Sequence, residues 1–277
     1  MSTVAVLLAL VAAILHASWN AVLRTGADRL WSITVMSLAG SVLALPFILY
    51  FPLPGSAAWP FLLASSLLQV GYSHFLVAAY RHGELGQVYP IVRGAVPLLV
   101  SVGGFLLFRD VLGTWQCIGV ALVATGIMSL SFGKGRAASS SLAFAFATAL
   151  IIACYSTVDS RGVREVPNPT AYAMWVLFLY GVFQALSYVL ARGRLRIDFA
   201  SPVTWKAVAG GIVAMVAYGL VVVAYSFAPA GLVTAVRETS VVFAALIGAL
   251  FLGERLTAKR LISCMIVATG AIFVSVS

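Results

Sequence analysis

The chain has 277 residues, 62% of them hydrophobic and only 9% charged, with 17 Lys and Arg against 8 Asp and Glu for a net charge of +9. A soluble domain carries about 25% charged residues. A mean hydropathy of +1.06 therefore excludes a soluble catalytic or nucleic-acid-binding domain and predicts a chain embedded in a bilayer, its excess positive charge being a matter of topology. Ten apolar runs follow one another, at 4–22, 31–51, 59–80, 87–108, 112–132, 141–159, 170–191, 204–227, 230–252 and 257–276. Each is close to the ~20 residues that a helix needs to cross a hydrocarbon core of ~30 Å. None alternates as a β-barrel strand does, so the expectation is an all-α integral membrane protein of ten transmembrane helices.

Span 1 follows "MSTVAVLLAL", which has no positive n-region, so no cleavable signal is expected. It carries His16, Trp19 and Asn20 at i, i+3 and i+4, one helical face. Span 3 brings His74 to a similar depth, roughly 9 Å from the same membrane face. These histidines either relay protons or hydrogen-bond across a helix interface. Span 4 holds Tyr89 one turn before Arg93, between Pro90 and Pro97, which predict a kinked helix beside the arginine. "GKGRAASS" follows span 5 and suits a solvated linker, 133–140. Span 6 carries Tyr155 and Asp159, span 8 Tyr218 and Tyr225, and span 9 Thr234, Arg237 and Glu238. Cys117, Cys154 and Cys264 fall inside apolar runs, where a thiol is a small hydrophobe.

The second half repeats the first. Ala79-Tyr80 recurs as Ala224-Tyr225, "IVRG" at 91–94 as "AVRE" at 235–238, and "LVATG" at 122–126 as "IVATG" at 266–270. Arg93 and Arg237 are therefore mates, in repeats spanning 1–132 and 141–277. Five spans per repeat make the second copy enter from the opposite side, giving inverted repeats around a central cavity, as in many secondary transporters.

With "FLGERLT" at 251–257 before the last span and "LFRDVLG" at 107–113 as its degenerate first copy, the whole chain resembles the drug/metabolite transporter superfamily, EamA type, and the YddG-like amino-acid exporters within it. The resemblance implies export of small metabolites through a cavity walled by both halves, in the bacterial inner membrane. The connections after odd-numbered spans carry Arg24, Arg29, Arg81, Lys134, Arg136, Arg192, Arg194, Arg196, Lys206, Arg255, Lys259 and Arg260, whereas the other face carries only Arg109, Arg161 and Arg164. The positive-inside rule then places both termini in the periplasm, although the termini of many ten-span members look cytoplasmic.

An arginine in hydrocarbon is costly, on the order of 3 kcal/mol, and pairs structurally or faces a cavity. The planar forks of Arg93 and Arg237 suit a substrate carboxylate. Glu238 lies about 100° around a continuous helix from Arg237, which points it instead toward Arg93. Candidate substrate-binding residues are thus His16, Trp19, Asn20, His74, Tyr89, Arg93, Tyr155, Tyr218, Arg237 and Glu238. They suit a zwitterionic or anionic small molecule with an apolar or aromatic side chain, amino acids first. No nucleophile motif, HExxH or phosphate-binding glycine loop is present, so no enzyme, cofactor, metal site or nucleic-acid partner is expected. An exporter of cationic drugs and a polytopic membrane enzyme are the alternatives. One chain carries both halves, so a monomer is expected to function.

Overall fold

The computed structural model describes residues 1–24, 28–82, 85–131, 139–251 and 257–276. In chain order its helices are α1 (Thr3–Arg24), α2 (Arg29–Tyr50), α3 (Trp59–His82), α4 (Leu85–Phe108), α5 (Thr114–Met128), α6 (Ser139–Gly162), α7 (Pro169–Arg192), α8 (Pro202–Tyr225), α9 (Ala230–Arg237), α10 (Ser240–Phe251) and α11 (Ala258–Val276), and no strand occurs among the described residues. Among the described residues, eight helices are long and apolar enough to cross a membrane; α1 adds the apolar stretch Thr3–Trp19, and α9 with α10 covers the remaining run. The protein is thus an all-helical, multi-pass membrane protein. Its outward side chains are apolar, with Leu49, Leu107, Leu190 and Val276 all largely exposed, as a lipid-facing surface requires.

Several helix starts follow from local chemistry. Asp28 caps α2 by accepting from the Trp31 amide at 3.1 Å. Asn168 accepts from the Thr170 amide at 2.9 Å and is followed by Pro169, and Ser201 caps α8 before Pro202. Each proline occupies the first turn, where its missing N–H costs nothing. Buried hydroxyls inside the spans return to their own helix, as Ser66 does to the Leu62 carbonyl and Thr157 to the Ala153 carbonyl. Others bridge helices: Ser41 donates to the Phe178 carbonyl at 2.8 Å, tying α2 to α7.

One expectation about helix shape is corrected. α4 runs as one helix with Pro90 and Pro97 inside it. The interruption falls in the ninth run, expected as one helix over 230–252, which is split into α9 and α10 at Glu238 and Thr239. Neither glycine nor proline marks the break. Thr239 sends its amide (3.1 Å) and its hydroxyl (2.7 Å) to the Val236 carbonyl, and the Val241 amide turns to the Glu238 carbonyl, so the chain passes through i to i+3 bonds before α10 resumes. Such a break is tolerated where protein surrounds it, and every residue from Ala230 to Ser240 is buried.

The packing pairs α1 with α8, α3 with α6, α2 with α7, and α5 with α11; α4 lies against α6 and α9, and α1 against α9 and α10. Replacing each span by the one five positions on returns the same set of pairs: α3 on α6 becomes α8 on α1, and α4 on α6 becomes the α9–α10 run on α1. At the α5–α11 seam the backbones meet through glycine. A Cβ added at Gly119 would lie 2.7 Å from the Gly270 carbonyl oxygen, and one at Gly270 would lie 2.7 Å from that of Gly119. Small residues at such crossings let van der Waals packing hold helices together in lipid.

Candidate functional site

α9 ends on Arg237, and the break after it turns Glu238 back beside its own neighbour. Glu238 is fully buried and stands between two guanidinium groups: Nε of Arg93 approaches Oε2 to 2.9 Å, and Nη2 of Arg237 donates to Oε1 at 3.2 Å. The Arg93 approach is an ion contact whose angle is too oblique for a hydrogen bond; that arginine also donates from Nη2 to Ser240 Oγ at 3.4 Å. The expected Arg93–Glu238 pairing is present. The expectation that Glu238 would lie away from Arg237 is corrected, because it assumed an uninterrupted helix and the helix ends between them.

Two cations on one carboxylate leave one positive charge in excess. The sequence repeat pairs Glu238 with Gly94, and no second carboxylate fits there: a Cβ at Gly94 would lie 2.6 Å from Met128 Cγ and 2.9 Å from the Ala124 carbonyl oxygen. Both arginines line a central cavity, whereas Glu238 lies behind them outside the lining. Arg237 Nε is buried without a hydrogen-bond partner among the described residues. The cavity has an accessible volume of about 140 Å³.

Of the residues expected from sequence, His16, Trp19, Arg93, Tyr155, Tyr218 and Arg237 meet in this lining. His16 and Trp19 share a face of α1 as their spacing requires, and Trp19 Nε1 donates to His16 Nδ1 at 3.1 Å with the rings edge to face. His74 lies apart from the lining and hydrogen-bonds Ser187 across the α3–α7 contact through Nε2. The side chains of Asn20 and Tyr89 lie outside the described residues.

The sequence reading missed Gln69, Tyr72 and Tyr180. Tyr72 meets the Tyr155 ring edge to face at 6.1 Å, and Tyr180 shares a 2.8 Å hydrogen bond with Ser73. The signal was available on α3, where Gln69, Tyr72 and Leu76, at i, i+3 and i+7, form one stripe. Behind the wall, Tyr218 donates to Asp159 Oδ2 at 2.8 Å and Tyr172 to Oδ1 at 3.1 Å, while Gln69 Nε2 donates to Tyr218 Oη at 3.4 Å. Among the described residues no group of three or more His, Cys, Asp or Glu side chains could hold a metal ion.

This geometry, a basic and aromatic cavity enclosed by apolar spans, can hold a small polar solute away from lipid. A solved crystal structure of another protein superposes on the whole chain with a TM-score of 0.78 at 18% sequence identity, covering 100% of this chain and 98% of that one, which shows the shared fold. No curated protein matches the sequence. The model of the EamA-like transporter family matches residues 139–276, the second half of the chain, which contains the Gly253-Glu254 pair and the final span. The chain belongs to the EamA-like transporter family and is a multi-pass membrane transporter of small molecules.

Proposed function

We propose that the protein exports small zwitterionic or anionic metabolites, amino acids with aromatic or other apolar side chains first, by alternating access between two inverted five-helix repeats, 1–132 and 141–277. The observation that carries this reading is the unbalanced positive charge at Arg93 and Arg237 on the wall of an otherwise aromatic cavity. A carboxylate entering the cavity meets two planar donors and one excess positive charge, while Trp19, Tyr72, Tyr155 and Tyr180 offer faces and edges to an apolar side chain. Export and an inner-membrane location rest on the family resemblance. The two-repeat reading draws support from a packing pattern that maps onto itself when the halves are exchanged. Both halves reside in one chain, and a monomer suffices.

A cationic drug finds less here. Glu238 is occupied by both arginines, and Asp159 stands behind Tyr218 outside the cavity lining.

The test uses purified protein in proteoliposomes with L-phenylalanine and its amide. Arg93→Lys and Arg237→Lys retain charge but lose the planar fork, so each should weaken binding of the acid roughly 10- to 150-fold, as the loss of a charged hydrogen bond of ~1.5–3 kcal/mol implies. The amide should bind wild type and variants alike. Folded Lys variants that bind the acid with wild-type affinity would make the arginines structural.

A further inference from the structure

Asp159 is a buried carboxylate of a different kind from Glu238. It is fully inaccessible, yet no Lys, Arg or His forms an ion pair with it among the described residues. Its partners are neutral hydroxyls: Tyr172 from α7 on Oδ1, Tyr218 from α8 on Oδ2, and Ser65 from α3. Around it stand Tyr155 one turn earlier on α6 and Tyr225 on α8; Tyr72 of α3 lies against Tyr155. The cations of the neighbouring helices are engaged elsewhere, Arg93 and Arg237 with Glu238, Arg161 with Glu165 at 2.7 Å, and Arg164 with Asp110 at 3.9 Å. A charge held by hydroxyls alone is one that a proton can neutralise without leaving a cation stranded, because each hydroxyl serves either as donor or as acceptor.

Tyr218 is the only one of these three direct partners in the cavity lining, so its hydroxyl forms the link between the carboxylate and the cavity. The geometry points to Asp159 as a proton-binding site coupled to the substrate cavity through Tyr218, a reading that rests on the proposed transport of a carboxylate-bearing solute. In the step, a proton from cavity water forms a new O–H bond on Tyr218 Oη as the original Tyr218 proton passes to Asp159 Oδ2. Tyr218 stays neutral, the carboxylate becomes a neutral acid donating back to Tyr218 Oη, and the new tyrosine hydrogen points into the cavity. One proton has entered and one negative charge has gone. The cavity then offers a further donor and a more positive field to the solute's carboxylate, so proton and solute are bound together, and solute leaving down its own gradient carries a proton outward.

Infrared difference spectroscopy on the full-length protein in lipid tests the site without any solute. Wild type, titrated across the pH range in which it stays folded, should gain a protonated-carboxyl C=O band on acidification. Asp159→Asn, which keeps the size of the side chain and an oxygen acceptor, should lack it, and Tyr218→Phe should shift it. Thermal unfolding verifies that the variants are folded. A wild-type spectrum with no pH-dependent band missing from Asp159→Asn overturns the proposal.

The second arm loads proteoliposomes with L-phenylalanine and a trapped pH dye. Efflux should raise lumenal pH in wild type, while Asp159→Asn should release solute with the pH change abolished. Equal pH changes in both overturn the proposal. Absence of any wild-type flux counts instead against the transport reading for this solute, and the infrared titration then decides Asp159 alone.

Discussion

Gly162 controls whether Tyr172 can reach Asp159. A Cβ at position 162 would overlap Tyr172 Oη and also Phe61 Cβ, so the three-residue step from Asp159 to Gly162 on α6 leaves room for one hydroxyl and nothing more. Gly162→Ala is expected to lower stability by roughly 1–3 kcal/mol, the usual penalty of overpacking, read as thermal unfolding of the detergent-solubilised protein. Adding Tyr172→Phe removes the overlapping oxygen, and the pair should be less destabilised than the sum of the singles. A strictly additive double variant would place the strain at Phe61 Cβ and at the ring carbon of residue 172 that phenylalanine retains. At this scale the sequence was readable only where a residue is chemically out of place. Arg93, Arg237 and Glu238 stand out in apolar runs, and the structure puts them in one cluster. Gln69, Tyr72 and Tyr180 did not, because a single amide or phenol is common in a membrane span, and only the assembled helices reveal which way it faces.

Among the elements, the spans were legible because lipid imposes length and apolarity on every one of them, and capping residues such as Asn168 with Pro169 fix their starts. The break at Glu238 and Thr239 was not. It lies in "RETS", where the local bonding of Thr239 to Val236 and the shared interest of two arginines in one carboxylate turn the chain, and neither is a property of composition. The α5–α11 seam offers a test at the same scale. Gly119→Ala would press a methyl group onto the Gly270 carbonyl and the Val274 amide, backbone atoms that no rotamer change can move. Its cost should be roughly 1–3 kcal/mol in detergent unfolding, or a loss of folded protein on expression. Gly55→Ala, with nothing within 4 Å of its added methyl, should be silent. Equal stability of the two variants would show that α5 and α11 do not approach this closely.

For the molecule as a whole, the uneven spread of Lys and Arg predicts an orientation. The faces reached after odd-numbered spans hold most of them, and a reporter fused to the C-terminus should be active if it folds only in the periplasm and silent if it requires the cytoplasm. The opposite result would invert the orientation and leave the helix packing untouched. The lone glutamate between two arginines carries a further consequence, one of symmetry. Two identical five-helix chains assembled about a two-fold axis would have the same residue at positions 94 and 238. Two glutamates would cancel the arginines, and two glycines would leave both bare, so the central charge would always be even. A single excess charge at such a centre needs two halves that differ there. With Met128 and the Ala124 carbonyl closing off Gly94, the first copy cannot supply the acid and the second cannot spare it. On the two-repeat reading proposed above, neither half paired with a second copy of itself would reproduce this singly charged centre.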